Sequence, residues 1–172
     1  HRALRRAGLL AQAEGAELAL VHVVDDDQPK ELIEIERREA QRILAQQISS
    51  MAELAGAKDR ALVVAGDAFD GILRVANSIH ADLIVLGAHR KQLLLDIFVG
   101  TTIERVIRTG HYPVLMANNE ADAPYRAALA AIDVSGPSAN AIKTAKALNI
   151  AGHASTPGGA ANCSSSSTNC WV

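Results

Sequence analysis

Two glycines and a pair of threonines are residue types that can bind a phosphate where a strand ends and a helix begins. Gly87 closes the apolar run ADLIVLG, and Gly100-Thr101-Thr102 opens a segment with helical periodicity. The free N–H groups and the positive dipole end at the start of a helix attract phosphate, and a threonine hydroxyl there donates to a phosphate oxygen or reaches a bound Mg²⁺. Thr101 and Glu104 also form a Ser/Thr-x-x-Asp/Glu capping box, which needs no ligand. The two interpretations are compatible.

A basic cluster lies between these glycines. His89, Arg90 and Lys91 are consecutive, and a small group of cations suits an anion. In one interpretation the Arg90 guanidinium contacts a triphosphate directly. In another, arginine changes how the loop closes, because it adopts positive φ only with strain. A solvated loop tip is the simplest alternative, so the residue type leaves the role of Arg90 open.

No group of side chains matches a known catalytic arrangement. The sequence has no recognisable Ser-His-Asp order, Cys-His pair, H-x-x-x-H or C-x-x-C spacing, so no nucleophile has an identifiable base. His22 lies within an apolar run and is expected to be a hydrogen-bonded core or edge residue. Asp25, Asp26 and Asp27 suggest a metal, but carboxylates between a strand and a helix are expected to cap that helix. We therefore expect no metal site and no enzyme activity.

Composition narrows the class of protein. The 172 residues are 49% hydrophobic and only 3% aromatic, which predicts an aliphatic core. A formal net charge of −2 argues against a dedicated nucleic-acid-binding protein, because those carry a basic excess. No apolar run approaches the roughly 20 residues of a membrane span. Both cysteines, Cys163 and Cys170, lie near the end, so the core needs no oxidising compartment and we expect a cytoplasmic location.

Apolar runs alternate with helical patterns along residues 1–117. The runs are rich in aliphatic residues, as in strands that are buried on both faces of a parallel sheet. The alternation predicts right-handed crossovers and therefore a doubly wound α/β fold, with helices on both faces of a parallel sheet. Strands are predicted at 17–24, 60–66, 82–87 and 113–117, and helices at 1–13, 29–55, 67–80 and 101–109, with Gly15 ending the first helix.

The pattern restarts after a polar segment. YRAALAAID is strand-like, and a turn and a helix follow it, with Ser138 as the predicted N-cap. From Ala151 onward the sequence consists mostly of small and polar residues. Such residues cannot bury enough apolar surface to order the chain. We expect a domain at 1–117, a linker at 118–124, the start of a second copy at 125–150 and a disordered tail at 151–172.

The segment ADLIVLGAHRKQLLLDIFVGTTIERVIRTGHYPVLMA resembles the C-terminal third of universal stress proteins. Nucleotide-binding members of that family carry Gly-x2-Gly-x9-Gly-Ser/Thr after the fourth strand. Gly87, Gly100 and Thr101 fall on its first glycine, last glycine and hydroxyl positions. Arg90 replaces the second glycine. The run LVHVVD and the Pro-Val-Leu of the last predicted strand also agree with the family.

The resemblance implies a stress-response module that binds ATP, with Mg²⁺, at the carboxyl ends of a five-stranded sheet ordered 3-2-1-4-5. It also implies pairing as a homodimer or as tandem domains. Members that lack the second glycine are thought not to bind ATP. The alternative is therefore a protein that acts through protein–protein contacts, for which the apolar loop at 88–98 would offer an interface. The implied nucleotide contacts are Val23, Gly87, Arg90, Gly100, Thr101, Thr102 and Asp133.

The resemblance further implies that residues 1–117 lack the family's first strand, which lies at the centre of the sheet. Unpaired N–H and C=O groups on the neighbouring strands would be an expensive defect. The segment 126–132 has the sequence type of the missing strand, so we expect it to fill the gap, from the same chain or from a second chain. Asp133 would then reach the nucleotide edge, although the helix at 138–149 would compete with residues 1–13 for one docking site.

Overall fold

Helices and strands alternate along the part of the chain that the structure describes. This computed structural model describes residues 2–58, 60–87, 102–118, 123, 125, 136–148 and 150. In chain order the elements are α1 (Arg2–Glu14), β1 (Leu20–Val24), α2 (Lys30–Ser50), a 3₁₀ helix (Ala52–Ala57), β2 (Ala61–Ala65), α3 (Ala68–Ser78), β3 (Ile84–Gly87), α4 (Thr102–Thr109), β4 (Val114–Ala117) and α5 (Gly136–Ala147).

The four strands form two parallel pairs. β1 pairs with β2 so that Leu20 lies opposite Ala61, and β3 pairs with β4 so that Ile84 lies opposite Val114. The α/β class and the parallel direction of these pairs are confirmed. Within the described residues the pairs form two separate two-stranded sheets, so the order 3-2-1-4-5 is not confirmed. The predicted filling segment at 126–132 lies outside the described residues.

Each strand pair has its own apolar core. β1 and β2 pack with α2 and the 3₁₀ helix, where Leu54 and Ala57 are completely buried. β3 and β4 pack with α3 and α4 around Val106, which is also buried. The aliphatic composition predicted this kind of core, because stiff and branched side chains fill the space between a sheet and its helices.

Two helices hold the strand pairs together. Leu4 of α1 packs on the first core, while a Cβ added to Gly87 of β3 would lie 3.2 Å from the Cβ of Ala3. On the other face, a Cβ added to Gly71 of α3 would lie 2.9 Å from Cγ2 of Val23 in β1. Apolar residues of the same α3 also pack in the second core. α1 and α3 therefore each contact both strand pairs.

The helix ends test the local predictions. Gly15 has a φ of +62°, and the N–H of Ala16 donates to the Ala11 carbonyl at 2.9 Å, so the predicted stop of α1 is confirmed. α2 ends at Ser50, earlier than predicted, because residues 52–57 tighten into the 3₁₀ helix. The predicted N-cap at Ser138 is wrong, since α5 begins at Gly136 and includes Ser138 in its first turn.

No helix in the described ranges is both long enough and apolar enough to span a bilayer. The predicted tail at 151–172 and the loop at 88–98 lie outside the residues that the structure describes.

Candidate functional site

The carboxyl ends of both strand pairs face the same side of the molecule. Asp67 follows β2, and Arg105 lies near the start of α4, the helix that follows β3. Nη1 of Arg105 lies 2.8 Å from Oδ2 of Asp67. The segment leaving β2 and the helix after β3 are therefore in contact. In parallel α/β sheets this carboxyl edge is where ligands bind.

Three of the seven predicted nucleotide-contacting residues are described, and each lies at or next to this edge. Val23 is the penultimate residue of β1 and is half-buried, Gly87 is the exposed last residue of β3, and Thr102 is the half-buried first residue of α4. Their contact with a nucleotide stays a prediction. The predicted residues outside the described ranges are Arg90, Gly100, Thr101 and Asp133.

Packing against neighbouring helices partly explains why residue 23 is Val23 and residue 87 is Gly87, without any ligand. The Val23 side chain lies against Gly71 of α3, so it contributes to packing, and its main chain remains for the predicted nucleotide contact. Gly87 lies close to Ala3 at the start of α1, where an added Cβ would be 3.2 Å from the Cβ of Ala3, so even an alanine would be tightly packed there. Within the described residues the positive φ angles belong to Gly15, Gly66 and His80, which means that Gly87 serves close approach rather than a left-handed turn.

Sequence reasoning missed a hydrogen-bonded charge cluster at the edge. Asp67 caps α3, with its Oδ1 accepting from the N–H of Phe69 at 2.9 Å. The Arg105 guanidinium donates to the other oxygen of Asp67 and stacks 3.5 Å from the centre of the Phe69 ring. The hydrogen bond from Arg105 is the main reason why the pKa of Asp67 lies below its ordinary value. An aspartate at the predicted start of a helix is the signal that marks this N-cap.

Two described arginines at this edge have partners of their own. Arg74 donates to the Ala65 carbonyl at 3.1 Å and lies 3.4 Å from Asp70, while Arg105 is paired with Asp67. A phosphate at this edge could accept hydrogen bonds from the main-chain N–H groups at the start of α4. The arrangement suits binding of an anion and includes no base positioned beside a nucleophile among the described residues.

The consecutive aspartates after β1 do not have the predicted capping role. Oδ1 of Asp25 accepts from the N–H of Asp27 at 3.0 Å, which makes a local turn. The N-cap of α2 is Pro29, and no side chain caps that helix. Carboxylate oxygens of Asp25, Asp26 and Asp27 lie within 4.8 Å of one another, but all three residues are exposed. The turn accounts for their arrangement.

Comparisons with known proteins agree with this architecture. Residues 1–118 match the universal stress protein family. The chain is 33% identical over 123 residues to universal stress protein MJ0531 of Methanocaldococcus jannaschii, covering 66% of this chain and 72% of that protein. It is 31% identical over 65 residues to universal stress protein MJ0577 of the same organism, which covers 38% of this chain and only 40% of that protein.

The fold of this chain is also similar to that of a solved structure from the same family. The crystal structure of a universal stress protein family member from Burkholderia pseudomallei has a TM-score of 0.51 and 28% identity, over 68% of this chain and 85% of that chain. The family match extends over the glycines, strands and helices on which the sequence resemblance was based. The resemblance is therefore confirmed: the chain belongs to the universal stress protein family.

Proposed function

We propose that this protein is a stress-response module that binds ATP, accompanied by Mg²⁺, at the carboxyl edge of its strands. The observation that carries the proposal is the placement of Gly87 and Thr102. The first ends β3 without a side chain at an exposed position, and the second begins α4 at the same edge. A bare backbone beside a helix N-terminus supports close approach of a phosphate chain.

The pairing of two arginines at this edge favours a site whose positive charge comes from the segment between β3 and α4. Arg74 and Arg105 are already paired with Asp70 and Asp67. The basic residues His89, Arg90 and Lys91 then supply the positive charge, and the Thr102 hydroxyl offers an oxygen to phosphate or to Mg²⁺. We propose binding without catalysis, because the described part of the edge provides no nucleophile with a base.

The glycine before α4 is the first residue to test, by equilibrium titration with a fluorescent ATP analogue. We expect Gly100→Val to abolish binding, because its side chain would occupy the approach to the helix N-terminus. Circular dichroism should remain nearly unchanged. Gly136→Val is the matched control at the start of another helix, where no atom lies within 4 Å of an added Cβ. Undiminished affinity in Gly100→Val would remove the nucleotide role from this motif.

Arg90 is tested in the same titration. A charge-assisted phosphate contact is worth about 1.5–3 kcal/mol, so we expect Arg90→Gly to weaken ATP binding at least tenfold and Arg90→Lys to weaken it less. Tighter binding in Arg90→Gly would mean that arginine obstructs the loop. Equal binding would place Arg90 outside the site.

The replacement of the family's second glycine by Arg90 favours a second candidate function, a family member that acts through protein contacts alone. Absence of any ATP-analogue binding by the unmodified chain would select this candidate. Phosphate release above that of Gly100→Val would contradict the proposal that the protein is not an enzyme. Pairing of domains and a cytoplasmic location belong to the same proposal, and sedimentation and fractionation respectively test them.

A further inference from the structure

An arginine in the first turn of α4 is unexpected from the stability of that helix. α4 begins at Thr102, and Arg105 is its fourth residue. The positive end of the helix dipole lies at this end, where acidic side chains are favoured and basic ones are not. The helix itself therefore does not explain the arginine, and contacts outside α4 must account for it.

The contacts of Arg105 lie at the start of α3. Its Nη1 is 2.8 Å from Oδ2 of Asp67, and its guanidinium stacks 3.5 Å from the centre of the Phe69 ring. Both partners are held in place by other contacts. Asp67 caps α3 by accepting from the N–H of Phe69, and the Phe69 ring packs against the second core. Arg105 therefore joins the first turn of α4 to two fixed groups of α3.

The rest of α4 is held by apolar packing. Val106 is buried in the second core. Just after the helix, a Cβ added to Gly110 would lie 2.8 Å from Cδ2 of Leu73 in α3, so the two helices are also in close contact at this end. In the first turn, by contrast, residues 102–104 are only half-buried and Arg105 is exposed. The orientation of the first turn therefore depends more on polar contacts than that of the remaining helix does.

We propose that Arg105 is a positioning residue for the phosphate end of the nucleotide site. Its bond to Asp67 and its stack on Phe69 hold the first turn of α4 against α3, and thereby keep the N–H groups of that turn in place at the carboxyl edge. The inference rests on the proposed function for its ligand. Arg105 acts through the helix rather than on the phosphate, because its guanidinium is occupied by α3.

The alternative explanation is electrostatic: Arg105 would only offset the negative charge of Asp67 beside an anion. The two explanations predict opposite results for Asp67→Ser. Serine is still a good N-cap for α3, but its shorter side chain does not reach Arg105. Loss of a carboxylate strengthens anion binding if charge alone matters, whereas loss of the tether weakens anion binding if Arg105 positions the helix.

Titration of the full chain with a fluorescent ATP analogue measures the difference, under conditions in which every variant is folded. A loss of global stability then leaves the affinity unchanged. We expect Arg105→Met to weaken binding about three- to thirtyfold, the combined contribution of an exposed ion pair and an exposed cation–π contact. Asp67→Ser should weaken it by up to about fivefold, because only the ion pair is lost. Arg105→Lys should retain part of the affinity that Arg105→Met loses.

Arg108→Met is the matched control, because it removes the same charge from the same helix. Arg108 pairs within α4, 3.4 Å from Glu104, and its side chain is 79% exposed. Its loss should change the affinity little. Unchanged or tighter binding in Asp67→Ser would overturn the inference. Equal losses in Arg105→Met and Arg108→Met would assign the effect to charge and would overturn it as well.

Amide hydrogen exchange read by NMR tests the same inference without a nucleotide. In an α-helix the N–H groups of Val106 and Ile107 donate to the carbonyls of Thr102 and Ile103, so their exchange reports opening of the first turn. We expect Arg105→Met to accelerate this exchange by about three- to thirtyfold, after correction for intrinsic rates, and Arg108→Met to leave it unchanged.

The two measurements separate failure of this inference from failure of the proposed function. If the unmodified chain does not bind the ATP analogue but Arg105→Met opens the first turn, the proposed function fails and the positioning of the helix start by Arg105 stands. If the unmodified chain binds the analogue but exchange in Arg105→Met is unchanged, the proposed function stands and this inference is overturned.

Discussion

The end of α3 is formed by an unusual residue. His80 has a φ of +52°, and the N–H of Ala81 donates to the Ala76 carbonyl at 2.9 Å. The N–H of His80 donates to the Asn77 carbonyl at 3.2 Å. These two bonds make the same helix stop that Gly15 provides for α1. A histidine in the left-handed region is strained relative to glycine.

We therefore expect His80→Gly to stabilise the protein. Relief of the left-handed strain should raise the free energy of unfolding by up to about 1 kcal/mol, reduced by the greater freedom of glycine in the unfolded chain. Urea denaturation followed by circular dichroism measures this. His80→Val should have the opposite sign, because a β-branched residue tolerates positive φ poorly. A less stable glycine variant would contradict the strain argument.

Single residues differ in how far the sequence reveals their roles. Gly15 was predictable because glycine after a helical pattern is a strong stop signal. The left-handed conformation of His80 was not, because histidine carries no such signal. The pair of Asp67 and Arg105 joins residues that are 38 positions apart. Such a contact depends on how two helices pack, which local patterns do not contain.

At the scale of elements, α3 approaches the first strand pair through a glycine. A Cβ on Gly71 would lie 2.9 and 3.0 Å from the two γ-carbons of Val23 and 3.4 Å from a γ-carbon of Val64. These contacts involve branched side chains with few alternative rotamers. The helix cannot accept a larger residue at this position without moving away from β1 and β2.

We expect Gly71→Ala to lower the free energy of unfolding by up to about 2 kcal/mol, because overpacking costs about 1–3 kcal/mol and the gain in helix propensity is only about 1 kcal/mol. Thermal and urea unfolding measure the change. Gly56→Ala is the matched control, because no atom lies within 4 Å of its added Cβ, and it should be neutral or slightly stabilising. Equal stability of the two variants would show that α3 does not pack tightly here.

The sequence predicted the helices and strands and the parallel direction of the strands. It predicted only in part how the strands assemble into a sheet. Periodicity predicted each described strand to within three residues, because buried parallel strands and amphipathic helices have distinct patterns. Those strands place Gly87 and Thr102 at one edge. How the two strand pairs are joined depends on contacts between residues that are distant in sequence, and local patterns do not contain such contacts.

At the scale of the whole molecule, Arg6 joins the first helix to the chain that follows β4. It is only 7% exposed, and its guanidinium contacts the Ala123 carbonyl and the Tyr125 ring. A buried guanidinium needs such partners, because an unpaired charge away from water is strongly destabilising. The contact therefore fixes both the helix and the returning chain.

We expect Arg6→Ala to lower the free energy of unfolding by about 1.5–3 kcal/mol, the usual contribution of a hydrogen bond to a charged group. It should also make the connection at 118–125 more sensitive to limited proteolysis. Arg5→Ala is the control, because Arg5 is exposed and its ion pair with Glu53, 3.2 Å away, lies near the surface. Unchanged cleavage of Arg6→Ala would contradict the role of Arg6 as an anchor.

The distance along the chain between Arg6 and its partners has a consequence for biosynthesis. Arg6 and the Ala123 carbonyl are separated by 117 residues. At about 5–20 residues per second, a ribosome delivers the partner roughly 6–23 s after the arginine. During that interval the guanidinium must remain in water and α1 cannot reach its final position. Folding of this protein is therefore completed late in translation or after release, and the nascent chain is the form most exposed to chaperones and proteases.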